Sequence, residues 1–119
     1  MLSFISTRFK RVLTAIKGMF ILIKTEASIQ SHLLIFSLFI FLGFYVDLDI
    51  NDWIKQIMIL GFIISIEALN TGIEKICDFT NPDYNKKIGF IKDVSAGAVS
   101  FAVIASLIAI LLIYYPYLF

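Results

Sequence analysis

The chain has 119 residues, of which 60% are apolar and 16% charged, and its formal net charge is +1. Soluble domains average roughly 45–50% apolar and about 25% charged residues. A chain this short cannot bury so much apolar surface in water, because small domains bury the smallest fraction of what they expose. The composition therefore indicates a membrane protein, and it excludes a disordered segment, a disulfide scaffold and nucleic-acid binding.

Basic and apolar residues are interspersed along the N-terminal segment, residues 3–24. This segment carries five lysines and arginines and no acidic residue. Apolar residues recur at steps of three and four, as on one face of a helix, and they are Leu2, Ile5, Phe9, Leu13, Ile16 and Phe20. The pattern predicts an amphipathic helix that lies on the membrane surface with its cations toward lipid phosphates. A cleaved signal peptide is disfavoured, because the basic residues are spread throughout and no small-residue cleavage site is present.

Three later segments are apolar enough to cross a bilayer, which takes about 20 residues of helix. Residues 27–46 contain no charge, and neither do residues 94–116. Residues 53–79 carry only Lys55 before Glu67, and we predict one helix that crosses the membrane and emerges from it. The sequence Asn81-Pro82-Asp83 then ends this helix. The predicted fold is an all-α membrane protein, one domain over residues 1–119 with a surface helix and three spans.

The positions of lysine and arginine predict the orientation in the membrane. The N-terminal segment and the loop after the second span are basic, whereas the DLDIND link between the first two spans is acidic. We therefore expect a cytoplasmic N-terminus and an external C-terminus. An outer aromatic belt is expected from Tyr45, Trp53, Tyr114, Tyr115 and Tyr117. Small residues between Ser95 and Ala109 favour close helix packing and self-association.

An acidic residue lies inside the second predicted span. Glu67 follows eleven uncharged residues, and a charge near the middle of a helix in lipid costs roughly 2.5–3.5 kcal/mol. Helical spacing puts further polar residues on the same face, in the order Asn70, Thr71, Glu74 and Asp78. We interpret Glu67 as functional and Asp78 as a solvated acid at the helix end. A deep, weakly hydrated glutamate is suited to abstracting a proton from a molecule in the lipid phase.

Other charged residues are expected at the same membrane face. Glu26 precedes the first span, and Lys92 and Asp93 precede the third. The carboxylates of Glu26, Glu74 and Asp93, at about one depth, would repel one another unless they shared a cation. Mg²⁺ is the cation that prefers such hard oxygen ligands together with substrate phosphates. The sequence therefore predicts a magnesium site at the cytoplasmic ends of the spans, closer to the membrane surface than Glu67.

Familiar motifs of nucleotide-binding and zinc proteins are absent from the sequence. It contains neither a Walker A loop nor G-x-G-x-x-G. With a single histidine, His32, and a single cysteine, Cys77, a zinc cluster is excluded. We interpret His32 as a structural or interfacial residue and Cys77 as a small apolar packing residue. From the residues alone, three interpretations stay open. The first is a phosphotransferase. The second is a proton-linked transporter or channel subunit with Glu67 as its proton relay, and the third is a non-catalytic interaction subunit.

The segment from Glu67 to Glu74, EALNTGIE, resembles the E-x-x-N-(S/T)-x-I-E motif of the prokaryotic diacylglycerol kinase family, which includes the undecaprenol kinases. Lys92-Asp93, eighteen residues after Glu74, matches the Lys-Asp pair of that family, and Glu26 matches its acid before the first span. The resemblance covers nearly the whole chain. It implies a homotrimer of three-span protomers in the bacterial cytoplasmic membrane, with active sites shared between neighbouring subunits.

The resemblance also implies an activity, the transfer of the γ-phosphate of ATP to the hydroxyl of a membrane lipid alcohol. Glu67 corresponds to the general base, and Glu26 and Glu74 correspond to ligands of the Mg²⁺ that accompanies ATP. Asn70 and Ala96 correspond to residues that support the catalytic glutamate and the lipid. Further nucleotide contacts implied by the resemblance are Lys92 at the transferring phosphoryl group, with Arg8 (or Lys10), Asp83, Tyr84, Asn85 and Asp93.

The resemblance leaves two lipids open, because diacylglycerol and undecaprenol both present a primary hydroxyl at the membrane surface. The Ala96-Gly97-Ala98 stretch and the position of His32, six residues after Glu26, look more like the undecaprenol kinases. We therefore expect undecaprenol in preference to diacylglycerol.

Overall fold

Four α-helices account for nearly all of the chain in this computed structural model, which describes residues 1–83 and 85–119. Their bounds are Leu2–Thr25 (α1), Ala27–Tyr45 (α2), Ile50–Thr80 (α3) and Lys86–Leu118 (α4). Helices α2, α3 and α4 are each long and apolar enough to cross a membrane. The predicted all-α architecture, with one leading helix and three long apolar helices, is therefore confirmed.

The three apolar helices alternate in direction, so their connections lie at two opposite ends of the bundle. One end holds the α1–α2 elbow at Glu26 and the α3–α4 loop at residues 81–85, and lysines are frequent there. The opposite end holds the α2–α3 turn at residues 46–49 and carries Asp47, Asp49 and Asp52. We call these the basic end and the acidic end. The division of charge between them is the basis on which the orientation was predicted.

Helix α1 buries none of its side chains against the rest of the chain. Apolar residues that were predicted to face the membrane, such as Phe9, Leu13 and Phe20, are more than half exposed. The molecule measures 51 × 48 × 23 Å. Three packed helices, each about 10 Å across, account for less than the 48 Å of its width. Helix α1 therefore projects sideways from the bundle. A projecting helix with an uncovered apolar stripe has the form of a helix that lies in a membrane surface.

The turn between α2 and α3 is fixed by backbone hydrogen bonds at the C-terminus of α2. The Leu48 amide donates to the Gly43 carbonyl at 3.0 Å, and the Asp47 amide donates to the Phe44 carbonyl at 3.3 Å. This is the Schellman arrangement, and its left-handed position is taken by Asp47, with φ of 52°. Asp49 then caps α3 by accepting from the Asn51 amide at 3.1 Å. The acidic link is thus a tight turn of four residues, shorter than the DLDIND segment.

Helices α3 and α4 form the most extensive pair in the bundle, and they run antiparallel in one register. Lys92 pairs with Asp78 near the basic end, and Tyr114 bonds Gln56 near the acidic end. Each helix advances 22 residues between these two contacts, or about 33 Å at 1.5 Å per residue. This length matches the hydrocarbon core of a bilayer, about 30 Å thick. The side of α4 turned to α3 includes small buried residues, namely Ser95, Ala102 and Ser106, as expected for closely packed helices in a membrane.

The hydrophobic core lies at the acidic end, where Leu48, Ile110, Ile113 and Tyr114 pack together. The Tyr114 ring is only 4% exposed, and its hydroxyl contacts both the Phe39 carbonyl, at 3.2 Å, and the Gln56 side chain. Tyr114 is therefore not part of a lipid-facing aromatic belt, and that part of the prediction is wrong. The reason is that aromatic side chains near a membrane surface also serve as core residues when their hydroxyl finds a partner inside.

Two predicted boundaries differ from the observed helices. Helix α3 begins at Ile50 and not at residue 53, and α4 begins at Lys86 and not at residue 94. In α4, the Asn85 side chain caps the helix by accepting from the Lys87 amide at 2.8 Å. A helix can continue through charged residues. The length of an uncharged stretch therefore shows how long the apolar segment is, and not how long the helix is that contains it. The predicted break at residues 81–83 is confirmed, since α3 ends at Thr80.

Candidate active site

Glu67 lies on the part of α3 that faces α2, and its side chain is only 12% exposed. Its Oε2 atom is 3.5 Å from Nε2 of His32 on α2. This separation is longer than an ordinary N–H···O hydrogen bond, but catalytic hydrogen bonds are often long before substrate binds. The predicted intramembrane acid is therefore turned toward a protein partner and away from lipid. The partner is the one histidine of the chain, which we had interpreted as structural.

Asn70 and Glu74 continue this face of α3 toward the basic end. Nδ2 of Asn70 donates to Oε1 of Glu74 at 3.0 Å, between side chains one turn apart. Asn70 is 7% exposed, and its own Oδ1 has no hydrogen-bond partner among the described atoms. A buried acceptor without a donor costs free energy, and it leaves an oxygen available beside the Glu74 carboxylate. Thr71 is also buried, so this part of the predicted polar stripe packs inside the bundle.

Glu26 forms the elbow between α1 and α2, where its backbone is extended. The side-chain amide of Gln30 secures the elbow by donating from Nε2 to the Ile23 carbonyl at 3.0 Å. The Glu26 carboxylate accepts from the Thr25 hydroxyl at 3.1 Å and lies 3.2 Å from the Lys75 ammonium. Lys75 directly follows Glu74 in α3. The elbow therefore brings Glu26, one of the two predicted magnesium ligands, to the turn of α3 that carries the other, Glu74.

Lys92 and the α3–α4 loop form the remaining part of the site at the basic end. The Lys92 ammonium is paired with the Asp78 carboxylate. Asp78 lies near the end of α3 and its side chain is 62% exposed, which agrees with its interpretation as a solvated acid, and the structure adds Lys92 as its partner. A cavity of about 240 Å³ adjoins the pair, and its lining includes Asp83, Asn85 and Gly89. The structure thus gathers three of the predicted nucleotide contacts, Asp83, Asn85 and Lys92, around one space.

The oxygen donors at the basic end are of the kind that magnesium prefers. Glu26 and Glu74 supply carboxylate oxygens, and the unpaired Asn70 Oδ1 is a further hard oxygen next to Glu74. Within residues 1–83 and 85–119, no group of three or more His, Cys, Asp or Glu side chains is placed to hold a metal by itself. The expected gathering of three carboxylates around one cation is therefore not found in the described part of the single chain. Two carboxylates nevertheless suit Mg²⁺, which commonly takes one or two of them and completes its shell with phosphates and water.

Several predicted residues are not brought to this cluster by the chain itself. Arg8 lies on exposed α1, stacked over the Phe4 ring at 4.9 Å, and about 27 Å along the helix from Glu26. Asp93 is exposed on α4, about 100° around the helix from Lys92. Ala96 is exposed one turn further along. Tyr84 lies outside the described residues.

Sequence reasoning missed the specific partners of the site residues. His32 and Glu67 are 35 positions apart, and Glu26 and Lys75 are 49 apart. Helical periodicity relates only residues on one helix, so it placed Asn70 and Glu74 on one face but could not give contacts between helices. One signal was available in the sequence, since the only histidine of the chain lies five residues into a span that is otherwise free of titratable groups until Tyr45.

Comparison with known proteins gives one family and one curated relative. Residues 13–114 match the family described as prokaryotic diacylglycerol kinase. The chain is also similar to the undecaprenol kinase of Bacillus subtilis (strain 168), with 33% identity over 105 residues, which cover 87% of this chain and 85% of the relative. The match spans the elbow, the α3 carboxylates and Lys92 together. It favours the phosphotransferase interpretation over the transporter and the interaction subunit.

Proposed function

The chain belongs to the prokaryotic diacylglycerol kinase family, and from this premise we propose that it transfers the γ-phosphate of ATP to a membrane lipid alcohol. It is a lipid kinase and a bacterial integral membrane protein. The basic end would face the cytoplasm, where ATP is found. The observation that carries the proposal is the single face of α3 on which Glu67, Asn70 and Glu74 descend from the apolar region to the basic end. A lipid hydroxyl and a water-soluble nucleotide can meet along such a face.

Glu67 would act as the general base. The lipid hydroxyl oxygen attacks the γ-phosphorus, its proton passes to the Glu67 carboxylate, and the bond from the γ-phosphorus to the bridging oxygen breaks to release ADP. The carboxylate is poorly solvated, because its side chain is 12% exposed and packed beside α2. The neighbouring His32 would hold the carboxylate toward the hydroxyl.

Charge neutralisation would come from the groups at the basic end. Glu26 and Glu74 would hold the Mg²⁺ of Mg-ATP, which offsets negative charge on the phosphates. Asn70 fixes the Glu74 carboxylate through the 3.0 Å hydrogen bond. Lys92 would leave Asp78 to contact the transferring phosphoryl group, where a cation stabilises the charge of the transition state. The cavity beside Asp83 and Asn85 would then receive the nucleoside, and Tyr84 and Asp93 would add contacts to it.

Self-association would complete the site. Arg8 lies too far from Glu26 along α1 to reach it within one chain, and several small residues of α4, such as Ala96 and Ala98, stay exposed. We propose a homotrimer in which the surface helix of one subunit reaches the nucleotide of a neighbour. For the lipid we propose undecaprenol, since the curated relative is an undecaprenol kinase, and diacylglycerol is the alternative to be compared with it.

The test is phosphate transfer by the purified protein in mixed micelles. Radiolabelled ATP, Mg²⁺ and either undecaprenol or diacylglycerol are supplied, and label is measured in the organic extract. Glu67→Gln should lower kcat by about 10²–10⁴-fold, the usual contribution of a general base. The matched control is Asp47→Asn, the same acid-to-amide change at the exposed turn of the acidic end. If the Glu67 variant retains wild-type turnover, Glu67 is not the base; if wild type labels neither lipid, the proposed activity is wrong.

A further inference from the structure

The Lys75 ammonium has no role in the proposed mechanism, although it lies against a residue that has one. Its Nζ atom is 3.2 Å from Oε1 of Glu26, a proposed magnesium ligand. The Glu26 side chain is 19% exposed, whereas the Lys75 side chain is 68% exposed. An ion pair so open to water contributes little to stability. The contact therefore needs an explanation other than stabilisation of the fold.

The elbow that carries Glu26 is held by hydrogen bonds of its own. The Gln30 side chain donates from Nε2 to the carbonyls of Ile23 and Lys24, at 3.0 and 3.4 Å. These bonds join the last turn of α1 to the first turn of α2, and they involve no group of α3. Glu26 is thus placed by residues near it in the chain, and Lys75 is not needed to place it.

The contact instead limits what the Glu26 carboxylate can bind. A metal ion on Oε1 would lie close to the Lys75 ammonium, and two cations on one oxygen repel each other. Metal binding at this oxygen therefore requires that the ammonium moves away. Lys75 is able to move, because its charge is carried on a flexible stem of four carbons and the side chain is mostly exposed.

Lys92, the lysine that the mechanism does use, is held in a similar way. It pairs with Asp78, which follows Lys75 by three residues and so lies about one turn further along α3. At about 100° per residue, Asp78 lies between Glu74 and Lys75 around the helix. The last turns of α3 therefore have two ammonium groups beside them, each paired with a carboxylate.

We propose that Lys75 is a second phosphate-binding lysine of the site, an inference that rests on the proposed function. Lys75 pairs with Glu26 until Mg-ATP binds, and its ammonium then passes from the Glu26 carboxylate to a phosphate oxygen of the nucleotide. The charges stay balanced, because Mg²⁺ replaces the ammonium at Glu26 and a phosphate replaces the carboxylate at Lys75. The exposed ion pair that is given up is weak, whereas hydrogen bonds from an ammonium to a phosphate are strong.

The exchange couples the binding of the metal to that of the nucleotide. Without nucleotide, Lys75 opposes a divalent cation at Glu26, since the ammonium has no phosphate to move to. With nucleotide, the same ammonium strengthens binding. Loss of the Lys75 charge should therefore have opposite effects on the two ligands, so that metal alone binds more tightly and nucleotide more weakly. A lysine that served only the fold would weaken both or neither.

The first experiment labels the unaltered protein in mixed micelles with Mg²⁺ and an ATP whose γ-phosphate carries an acyl group. The amine of a lysine beside the phosphates attacks the acyl carbon and loses its proton to water. The bond from that carbon to the phosphate oxygen breaks, so ATP leaves and an amide remains on the lysine. Mass spectrometry should find label on Lys75 and Lys92 that excess ATP prevents. Such label on Lys92 without Lys75 would overturn the proposal, and its absence from every lysine would contradict the proposed function itself.

The second experiment measures binding to the purified protein in detergent, with Mn²⁺ in place of Mg²⁺ where metal is studied alone. Lys75→Met keeps an unbranched side chain and removes the charge. Without nucleotide, it should bind Mn²⁺ about 1.5- to 5-fold more tightly than wild type, the range that corresponds to loss of an exposed ion pair. With Mg²⁺, its Kd for a non-hydrolysable ATP analogue should rise about tenfold, the lower limit for a hydrogen bond to a charged group. Lys75→Arg should restore both values.

Two further variants complete the second experiment. Lys55→Met is the matched control, since Lys55 is another exposed lysine of α3 with a carboxylate partner, about 30 Å away along the helix, and neither Kd should change. The double variant Glu26→Gln, Lys75→Met should lose the gain in Mn²⁺ affinity. The proposal is overturned if Lys75→Met shows no gain for Mn²⁺, if it weakens both ligands, or if the gain persists in the double variant. Wild type that binds no ATP analogue contradicts the proposed function, whereas analogue binding without the opposite shifts contradicts only the role of Lys75.

Discussion

Replacement of His32 by leucine tests whether the contact between His32 and the Glu67 carboxylate matters for catalysis. Leucine keeps a side chain of similar volume, but it removes the Nε2 atom 3.5 Å from Oε2 of Glu67. A hydrogen bond to a charged group contributes about 1.5–3 kcal/mol. Because the observed separation is long, we take about 1–2 kcal/mol, which corresponds to a fall in kcat of about 5- to 30-fold.

The assay is steady-state phosphorylation of undecaprenol with ATP and lipid varied separately. A positioning role predicts that His32→Leu lowers kcat and leaves KM for ATP nearly constant, since the nucleotide groups lie further toward the basic end. His32→Gln, which retains an N–H donor near the same place, should recover most of kcat. The reasoning is refuted if His32→Leu keeps wild-type kcat, or if the glutamine variant is as slow as the leucine variant.

Two further predictions concern the packing of the acidic end and are measured by reversible unfolding in SDS mixed micelles. A Cβ atom on Gly43 would lie 2.7 Å from the Trp53 ring, so Gly43→Ala should destabilise by about 1–3 kcal/mol. Gly61→Ala, where a Cβ meets nothing within 4 Å, should be neutral or stabilising, and equal effects would contradict the packing argument. Tyr114→Phe removes the buried hydroxyl and should cost about 0.6 kcal/mol, the average for a hydrogen bond in a membrane protein, and at most about 1.7 kcal/mol. Tyr115→Phe, on an exposed ring, should cost nothing measurable, and a loss as large as that of Tyr114→Phe would place the stabilisation elsewhere.

The face of α3 that packs inside the bundle gives the candidate site an apolar half and a polar half. Toward the acidic end the face is apolar, at Leu60 and Ile63, and toward the basic end it carries Asn70 and Glu74. Glu67 lies at the change from one to the other. A carboxylate at such a boundary can contact a lipid hydroxyl on one side while nucleotide phosphates are held on the other. In the proposed mechanism no separate nucleotide domain is needed, because the same helix face would present both substrates to each other.

Much of the candidate site was accessible from the sequence, because its α3 residues follow helical periodicity and its motif is specific. Glu67 was identified as an acid after eleven uncharged residues, and helical spacing placed Asn70 and Glu74 on its face. The pairing of Asp78 with Lys92 was not predicted, because Lys92 lies on α4 across a loop. The same limit applied to Tyr114, whose burial depends on a carbonyl of α2 and a side chain of α3.

The amino-acid sequence by itself determined the membrane class, the number of helices and the break after α3. These features depend on local properties, namely the hydropathy of about 20 successive residues and the effect of Asn81-Pro82 on the backbone. Only the tertiary structure decided that Glu67 meets His32 and that Glu26 reaches the turn of α3 beside Glu74. Such contacts depend on the rotation of each helix about its axis and on the register of its packing. Those quantities are set by all the side chains between the helices together, and no local stretch of sequence specifies them.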